Sequence, residues 1–289
     1  MTDSDEVPAP SVLAETAETA ARAAGDTLRD GFRDGVDATY GEDDVKAAAD
    51  RRAERRAVET IRERYPGHAV DSEEREPITG GPVEWLVDPL DGTNNYAVGH
   101  PAFAVAVTAR RLASDADEPR RRASDADGRT GTGADGRAAD GDLLAAAVYE
   151  PLPEECAVAV RGEGAHVGRR RLAADHDRPL ARSTVSLVLG IDAVRDERLR
   201  RAAETVRERL ADRSKRVLES WAPCLDWTLF ARGSLAGVVC VHPDEREQAP
   251  GALLASEAGA ATAWDGDCFL AAPTEERLAT LQETLPETL

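Results

Sequence analysis

The sequence lacks several features that would identify a function class at once. It has no run of about 18 consecutive apolar residues, so no segment resembles a membrane-spanning helix. The N-terminal residues, MTDSDEVPAP, have neither the basic nor the apolar part of a secretion signal. We therefore expect a cytoplasmic protein that makes no membrane contact.

Cysteine is also scarce, and its spacing excludes two kinds of site. No C-x-x-C pair occurs, and the cysteines lie far apart along the chain, at Cys156, Cys224, Cys240 and Cys268. This spacing indicates neither a zinc site nor a disulfide framework. Small buried thiols are the better interpretation, because free cysteine is commonly buried.

Lysine and large aromatic residues are rare, whereas acidic residues are abundant. Only Lys46 and Lys215 are lysines, and 55 acidic residues against 36 basic ones give a formal net charge of −19. An acidic surface of this kind is typical of proteins from a high-salt cytosol, where salt screens the repulsion. The same charge argues against a nucleic acid as partner, since phosphates need a basic patch.

The apolar pattern of the first half predicts two helices followed by a mostly antiparallel sheet. The helices are expected at 11–34, with Ser11 as a possible N-cap and Gly35 just past the end, and at about 44–65. Strands are expected at 69–71, 83–87, 103–109, 143–149 and 156–160. Residues 161–168, RGEGAHVG, are typical of a hairpin turn.

Residues 113–141 differ in character from the strands on either side. They contain ASDAD twice and almost no apolar side chains. The letters DADG resemble part of a calcium loop, but the remaining EF-hand spacing is absent. We interpret the segment as a flexible surface insertion in a long hairpin loop.

From residue 185 onwards, strands alternate with helices. Strands are predicted at 185–189, 216–218, 236–241, 261–264 and 269–271, and helices at 193–210, 224–231, 248–258 and after Pro273-Thr274. The alternation predicts a layered α/β half. Two domains are therefore expected, an N-terminal α+β domain at 1–182 and a C-terminal α/β domain at 183–289.

The stretch VDPLDGTNNY, residues 87–96, places two carboxylates three residues apart after an apolar strand. We expect Asp88 at the carboxyl end of the strand and Asp91 to return towards it across a tight turn. On these letters alone a simple turn is an equally good interpretation. Glu73, with Glu74 beside it, and Asp50 in the preceding helix tilt the balance towards a hard cation such as Mg²⁺. The lack of nearby histidine and cysteine in the sequence argues against zinc.

Several segments together resemble the inositol monophosphatase family of Mg²⁺-dependent, lithium-sensitive phosphatases, which includes archaeal fructose-1,6-bisphosphatases. WLVDPLDGTNNY is similar to the family signature W-x-x-D-P-x-D-G-T-x-N-F, and residues 46–74 resemble its D-x-x-A-E segment leading into G-E-E. AAVYEP, AVRGEGAHVG, CLDWTLFARGSLAGVV and GALLASEAGA resemble further family segments. The resemblance covers about residues 11–285 without the insertion, and it implies a layered αβαβα sandwich of the sugar-phosphatase type.

The resemblance also implies the site. Two or three Mg²⁺ ions would be held by Glu73, Asp88, Asp91 and the backbone carbonyl of Leu90, with Asp88 bridging two ions. Phosphate would lie against Asp91 and the amides of Gly92 and Thr93, which suit an anion at a turn. Asp50 and Thr93 match the pair that activates the attacking water, and a homodimer is the implied assembly.

Two positions depart from the family pattern. Where the family has an aspartate that binds the second metal, the sequence has Glu247, within REQAPG, with Asp244 and Glu245 as nearby substitutes. Where inositol-specific members carry a glutamate that contacts the sugar hydroxyls, the sequence has Cys240. We expect Glu247 to coordinate metal, since carboxylates of either length serve hard cations.

The leading hypothesis is a Mg²⁺-dependent phosphomonoesterase that hydrolyses a sugar or inositol phosphate by two-metal activation of water. The departures at Glu247 and Cys240 leave two alternatives open. One is a catalytically weak relative that acts as a metal-binding or metabolite-binding regulatory protein. The other is a nucleotidase for 3'-phosphoadenosine phosphates.

The acidic composition makes one prediction about stability. We expect the protein to unfold when KCl is lowered from about 1 M to about 10 mM, because the Debye length grows from about 3 Å to about 30 Å. Circular dichroism melts at the two concentrations measure the effect. Equal melting temperatures would contradict the high-salt interpretation.

Overall fold

The structure is a computed structural model that describes residues 6–35, 38–40, 45–73, 75–112 and 143–286. The predicted insertion at 113–141 and Glu74 lie outside the described residues. Within these ranges, no helix combines the length and the hydropathy needed to cross a bilayer. All four cysteines are free and buried, as their spacing predicted.

The chain begins with two helices that share one apolar face. Helix α1 spans Pro10–Asp34, and α2 spans Ala48–Arg64 after a two-stranded ribbon of β1, Ala38–Tyr40, and β2, Val45–Ala47. Half of the buried positions in the two helices are alanines, which allow the helices to lie close to each other and to the sheet beneath them. The second helix therefore begins about four residues later than predicted, because residues 45–47 pair as a strand instead.

A seven-stranded sheet follows, and its order along the sheet is the order along the chain. Its strands are β3 (Ala69–Ser72), β4 (Val83–Asp91), β5 (Ala104–Arg111), β6 (Leu143–Glu150), β7 (Glu155–Val160), β8 (Gly164–Val167) and β9 (Arg170–Arg171). Strands β3 and β4 are parallel, and every later pair is antiparallel. The short helix α3, Thr93–Ala97, lies between β4 and β5.

The second half builds a five-stranded sheet in the order β11-β10-β12-β14-β13. Its strands are β10 (Thr184–Leu189), β11 (Arg216–Leu218), β12 (Val238–Val241), β13 (Ala261–Asp265) and β14 (Cys268–Ala272). Its helices are α4 (Ile191–Arg195), α5 (Glu197–Arg213), α6 (Pro223–Ala231), α7 (Glu245–Glu257) and α8 (Glu275–Gln282). The predicted helix at 193–210 is thus two helices. The second of them, α5, is capped by Asp196, whose side chain accepts hydrogen bonds from the Arg198 and Leu199 amides.

The helices and sheets stack into five layers, because alternate residues of the strands are buried on opposite faces of each sheet. One face of the seven-stranded sheet, including Trp85 and Val87, packs in a core with α1 and α2. The opposite face, including Leu86 and Ala106, shares a core with α6, α7 and one face of the smaller sheet. The other face of that sheet packs against α5 and α8. The order helix, sheet, helix, sheet, helix confirms the predicted αβαβα sandwich, while the domain boundary near residue 182 stays a prediction.

Two element boundaries near the acidic motif differ from prediction. Strand β4 continues to Asp91, whereas the sequence predicted that it ends before Asp88 and turns. Helix α7 begins at Glu245, three residues before the predicted start at Gln248, because Asp244 caps it by accepting a hydrogen bond from the Arg246 amide at 2.8 Å. Acidic residues that were predicted to lie in loops therefore lie in a strand or a helix.

Helices α6 and α7 pack closely because α7 has a glycine at the contact. A Cβ atom on Gly251 would lie 2.1 Å from Nε1 of Trp227. Trp227 is itself buried, with 1% of its surface exposed. The contact holds together the two helices that carry acidic residues of the candidate site.

We expect Gly251→Ala to lower the free energy of unfolding by about 1–3 kcal/mol, the usual cost of overpacking a core. Urea denaturation at constant high salt measures the change. Gly67→Ala is the matched control, because nothing lies within 4 Å of its added Cβ. Equal stability of the two variants would show that the Trp227 contact does not constrain the packing.

Candidate active site

A bulge in β4 places Asp88 and Asp91 side by side. Asp88 pairs with Ala106 and Asp91 with Ala104, so β4 advances three residues while β5 advances two. In a regular strand, residues three apart point to opposite faces, and one extra residue restores the same face. The convergence of the two carboxylates was predicted correctly, but its cause is this bulge and not a turn outside the strand.

Both aspartates are buried and held in place by backbone amides. Asp88 is 3% exposed, and its Oδ1 accepts a hydrogen bond from the Leu90 amide at 3.0 Å. Asp91 is 1% exposed, and its Oδ2 accepts one from the Cys224 amide at the start of α6 at 3.0 Å. The second oxygen of Asp91, Oδ1, is buried without a hydrogen-bond partner among the described residues. A buried oxygen in this state is suited to a cation.

Glycine at position 92 is required by the turn that follows β4. Gly92 has a φ angle of 85°, in the left-handed region, and a Cβ atom there would lie 2.8 Å from the Ala102 carbonyl oxygen. The chain then enters α3, where the Thr93 hydroxyl donates a hydrogen bond to the Leu90 carbonyl oxygen at 3.0 Å.

A cavity of about 310 Å³ collects most of the predicted site residues. Its lining includes Glu73, Asp88, Leu90, Gly92, Thr93 and Glu247. Glu73 lies in the turn after β3, and Glu247 lies in the first turn of α7, so both halves of the sandwich contribute. The structure thus brings these residues together, and their individual roles stay predictions.

Asp50 does not line the cavity but lies close enough to Asp88 to influence its ionisation. It is 3% exposed within α2, and its charge is one of the influences that raise the pKa of Asp88. The Thr93 hydroxyl donates its hydrogen bond to the Leu90 carbonyl oxygen. The pairing of Thr93 with Asp50 around a water stays a prediction.

The carboxylates strongly disfavour each other's ionisation. Burial first, and then the charges of Asp91, Glu73, Glu247 and Asp50, raise the pKa of Asp88 well above its usual range. Burial and the nearby Asp226 charge likewise raise the pKa of Asp91, although amide hydrogen bonds oppose the shift. The pKa of Glu247 is raised by burial, Asp91, Asp244 and Glu73, with Arg246 opposing. A divalent cation would remove this repulsion.

Of the three acidic residues at the start of α7, Glu247 is better suited than Asp244 or Glu245 to be the metal ligand that the C-terminal half contributes. Asp244 already caps α7 and forms an ion pair with Arg246 at 3.1 Å. Glu245 pairs with Arg110, away from the aspartates. Arg246 also reaches Asp71 of β3 at 3.4 Å, which ties the start of α7 to the larger sheet near Glu73.

Two residues near the cluster were not predicted from the sequence. The ligand atoms of Asp88, Asp91 and Cys224 lie within 4.8 Å of one another, so the expectation that no cysteine lies near the site was wrong. Cys224 offers a soft sulfur ligand, however, whereas hard cations prefer oxygen. The carboxylate and carbonyl oxygens therefore remain the donors that fit, and they suit a hard ion such as Mg²⁺.

The second unpredicted residue is Asp226, which also lines the cavity. Its Oδ2 accepts hydrogen bonds from the Ser186 hydroxyl at 2.6 Å and the Ser220 hydroxyl at 2.9 Å. Burial raises its pKa to about 6. A single charge in the apolar segment CLDWTLF was the sequence signal that could have identified it.

Cys240 lies outside the cavity lining. It is fully buried in β12 and belongs to the core between the two sheets. The position where the resemblance places a sugar-contacting glutamate is therefore part of the apolar core in this protein.

Raised carboxyl pKa values predict how pH and metal affect stability. The folded, metal-free protein binds protons more tightly than the unfolded chain, so its stability should fall as pH rises from about 4 past these raised values. Mg²⁺ should raise the melting temperature, and more at pH 8 than at pH 5, because protons compete for the same oxygens.

Differential scanning fluorimetry at constant ionic strength, with Mg²⁺ or EDTA, measures this difference. Asp91→Asn should reduce the Mg²⁺-induced shift, whereas Asp265→Asn, which removes an exposed charge at the end of β13, should preserve it. A Mg²⁺ shift of the same size at both pH values would contradict the site.

Comparison with known proteins supports one family. A family model described as the inositol monophosphatase family matches residues 9–109. The Nus factor SuhB of Haemophilus influenzae is 32% identical over 172 residues, which are 58% of this chain and 54% of that protein. Its Escherichia coli K12 counterpart is 31% identical over 158 residues, covering 53% and 49%. The chain thus spans about half the length of the curated relatives it matches.

Solved structures share the fold over nearly the whole chain. The extragenic suppressor protein SuhB from Bartonella henselae superposes with a TM-score of 0.77 at 21% identity, covering 96% of this chain and 100% of that one. The inositol monophosphatase from Anabaena (Nostoc) gives a TM-score of 0.74 at 21% identity, covering 96% and 98%. At this identity, the likeness establishes the fold.

Proposed function

Because this chain belongs to the inositol monophosphatase family, we propose that it is a Mg²⁺-dependent phosphomonoesterase acting on a sugar or inositol phosphate, fructose 1,6-bisphosphate included. One observation carries the proposal. Carboxylates from both halves of the sandwich meet around one cavity, and burial together with their mutual repulsion raises the pKa values of Asp88, Asp91 and Glu247. Such a cluster is costly unless it binds cations.

Five groups would hold the ions: the carboxylates of Glu73, Asp88, Asp91 and Glu247, and the Leu90 carbonyl. When bound, the ions supply activation of the attacking water and neutralisation of charge on the phosphoryl and leaving oxygens. The geometry of β4 supports this assignment, because Asp88 and Asp91 lie together and one oxygen of Asp91 has no hydrogen-bond partner among the described residues.

The residues around the cluster would orient the reactants. The Thr93 hydroxyl donates a hydrogen bond to the Leu90 carbonyl oxygen, and the lone pairs on its own oxygen can accept a hydrogen bond from a water. Asp50, buried in α2, is the proposed base that takes the proton from that water. The Gly92 and Thr93 amides, where the chain leaves β4, are the proposed phosphate donors, beside Asp91.

A regulatory role is the second candidate, and a specific observation favours it. The similar curated proteins bear the name Nus factor SuhB. In addition, Glu247 departs from the family's metal-binding aspartate, and Cys240 departs from the glutamate of inositol-specific members. A catalytically weak protein that binds metal or a metabolite would retain the carboxylate cluster.

A nucleotidase acting on 3'-phosphoadenosine phosphates is the other alternative. It would use the same chemistry on another leaving group.

The proposal extends to assembly and environment. From the resemblance we propose a homodimer, and from the composition a high-salt cytoplasm without nucleic-acid contact. Size-exclusion chromatography with light scattering at molar KCl measures the assembly.

We expect Asp91→Asn to lower kcat/KM for phosphate release by more than about 100-fold. Substitution of residues that only support a ligand typically costs 10–100-fold, and Asp91 is a proposed ligand itself. Phosphate release from a phosphomonoester panel at high KCl, with Mg²⁺ or EDTA, measures the loss. Asp265→Asn is again the surface control. Release that survives in Asp91→Asn would contradict the site, and no release by the native protein would favour the regulatory role.

We expect Glu247→Asp to lower the Mg²⁺ concentration needed for half-maximal rate. The shorter side chain restores the family residue, so it should reach the ion without folding back. Titration of the rate with Mg²⁺ measures the change, and Glu245→Asp is the matched control because Glu245 pairs with Arg110. An unchanged titration in Glu247→Asp would argue that another carboxylate serves the second ion.

A further inference from the structure

The candidate cavity has an apolar wall that the chemistry of the carboxylates does not explain. Among the described residues, four large hydrophobic side chains are notably exposed, at Val98, Ile191, Trp221 and Trp264. Two of them, Ile191 at 49% and Trp221 at 51%, line the same cavity as Asp88 and Thr93. Leu189, Val194 and Pro223 line it as well.

The backbone at Trp221 is held in a conformation that does not suit tryptophan. Its φ angle is 57°, in the left-handed region that favours glycine. Large residues rarely adopt it, because it is strained for a residue with a Cβ atom, and it persists only where the surroundings impose it. Neither a favourable backbone nor burial of the ring therefore explains a tryptophan at this position.

Hydrogen bonds on both sides of Trp221 hold the backbone that carries the indole. The Ser220 carbonyl accepts a hydrogen bond from the Asn95 side chain at 2.8 Å, and the Ser220 hydroxyl donates one to Asp226 at 2.9 Å. The Ala222 amide donates to the Ser220 hydroxyl at 3.0 Å. Since Ser186 anchors Asp226 to β10, the segment that carries the indole is attached to both halves of the sandwich.

Polar groups surround this apolar wall. Glu219, Arg195, Asp244 and Arg246 line the same cavity, and Glu219 is itself fixed by an ion pair with Arg207. A lining that combines apolar side chains with charged ones matches a ring whose face carries C–H groups and whose edge carries hydroxyls. Cyclic sugars and cyclitols have this form, whereas acyclic polyols have no flat face.

We propose that Trp221 and Ile191 form a leaving-group subsite that packs against the C–H face of a cyclic sugar or cyclitol phosphate. The inference rests on the proposed phosphatase function and names the part of the substrate that this wall selects. Trp221 is then a specificity-determining residue, and the Asn95, Ser220 and Asp226 contacts are what position it. Preorganisation of the indole lowers the entropy lost when the ring binds.

Trp221→Gly is the sharpest test, because glycine is suited to the φ angle and the variant should remain folded. We expect the ratio of kcat/KM for glucose 1-phosphate to that for glycerol 2-phosphate to fall about tenfold, equivalent to about 1.4 kcal/mol. Trp221→Phe should keep most of the ratio, and Trp264→Ala, outside the cavity lining, should keep all of it. Equal losses of kcat/KM on both substrates in Trp221→Gly would overturn the subsite. Phenyl phosphate, whose ring is aromatic, is a third substrate, and a loss of kcat/KM for it alone would also overturn the subsite.

A binding measurement separates this inference from the proposed function. Glucose 1-phosphate should shift the tryptophan fluorescence of the native protein and of Trp264→Ala, and the shift should be lost in Trp221→Gly. If the native protein hydrolyses nothing but shows this pattern, the phosphatase function fails and the subsite stands. If the native protein hydrolyses phosphomonoesters and its emission does not respond to glucose 1-phosphate, the subsite fails and the phosphatase function stands.

Discussion

The repulsion between buried carboxylates is the constraint on which the rest of this structure depends. Asp88 and Asp91 are removed from water, and Glu247 lies half-buried near them. The charges of Asp91 and Glu247 raise the pKa of Asp88, and the charge of Asp91 raises the pKa of Glu247. Ionised carboxylates in such a site are unfavourable without a cation or a proton. The fold must therefore supply enough stability elsewhere to hold these groups together, and the three apolar cores of the sandwich are where it does so.

The cluster also explains how the two halves are joined. Asp91 belongs to the larger sheet but accepts a hydrogen bond from the first turn of α6, and Arg246 of α7 reaches Asp71 of β3. The site thus lies where the two halves meet, and neither half contains all of it. A cation bound there would contact both halves, so metal binding and the packing of the sandwich are expected to be coupled.

The cavity combines two different kinds of recognition. Its carboxylates suit hard cations and, through them, a phosphoryl group, while Trp221 and Ile191 offer an apolar wall to the remainder of a ligand. Cys240, which stands where inositol-specific relatives have a polar contact, is buried in the core and leaves the cavity without that group.

The sequence by itself determined the family, the αβαβα class and the group of acidic residues, because these follow from local apolar periodicity and from motifs written in consecutive letters. It also indicated that Glu247 stands where the family pattern has a metal-binding aspartate. Only the tertiary structure decided that a bulge in β4 aligns Asp88 with Asp91, since pairing with β5 is not readable from the letters of β4. The approach of Cys224 and Asp226 to the cluster, and the exposure of Trp221 in the same cavity, likewise depend on contacts between residues about 130 positions apart, such as Asp91 with Cys224. Local patterns specify which elements form, but long-range packing decides which side chains meet.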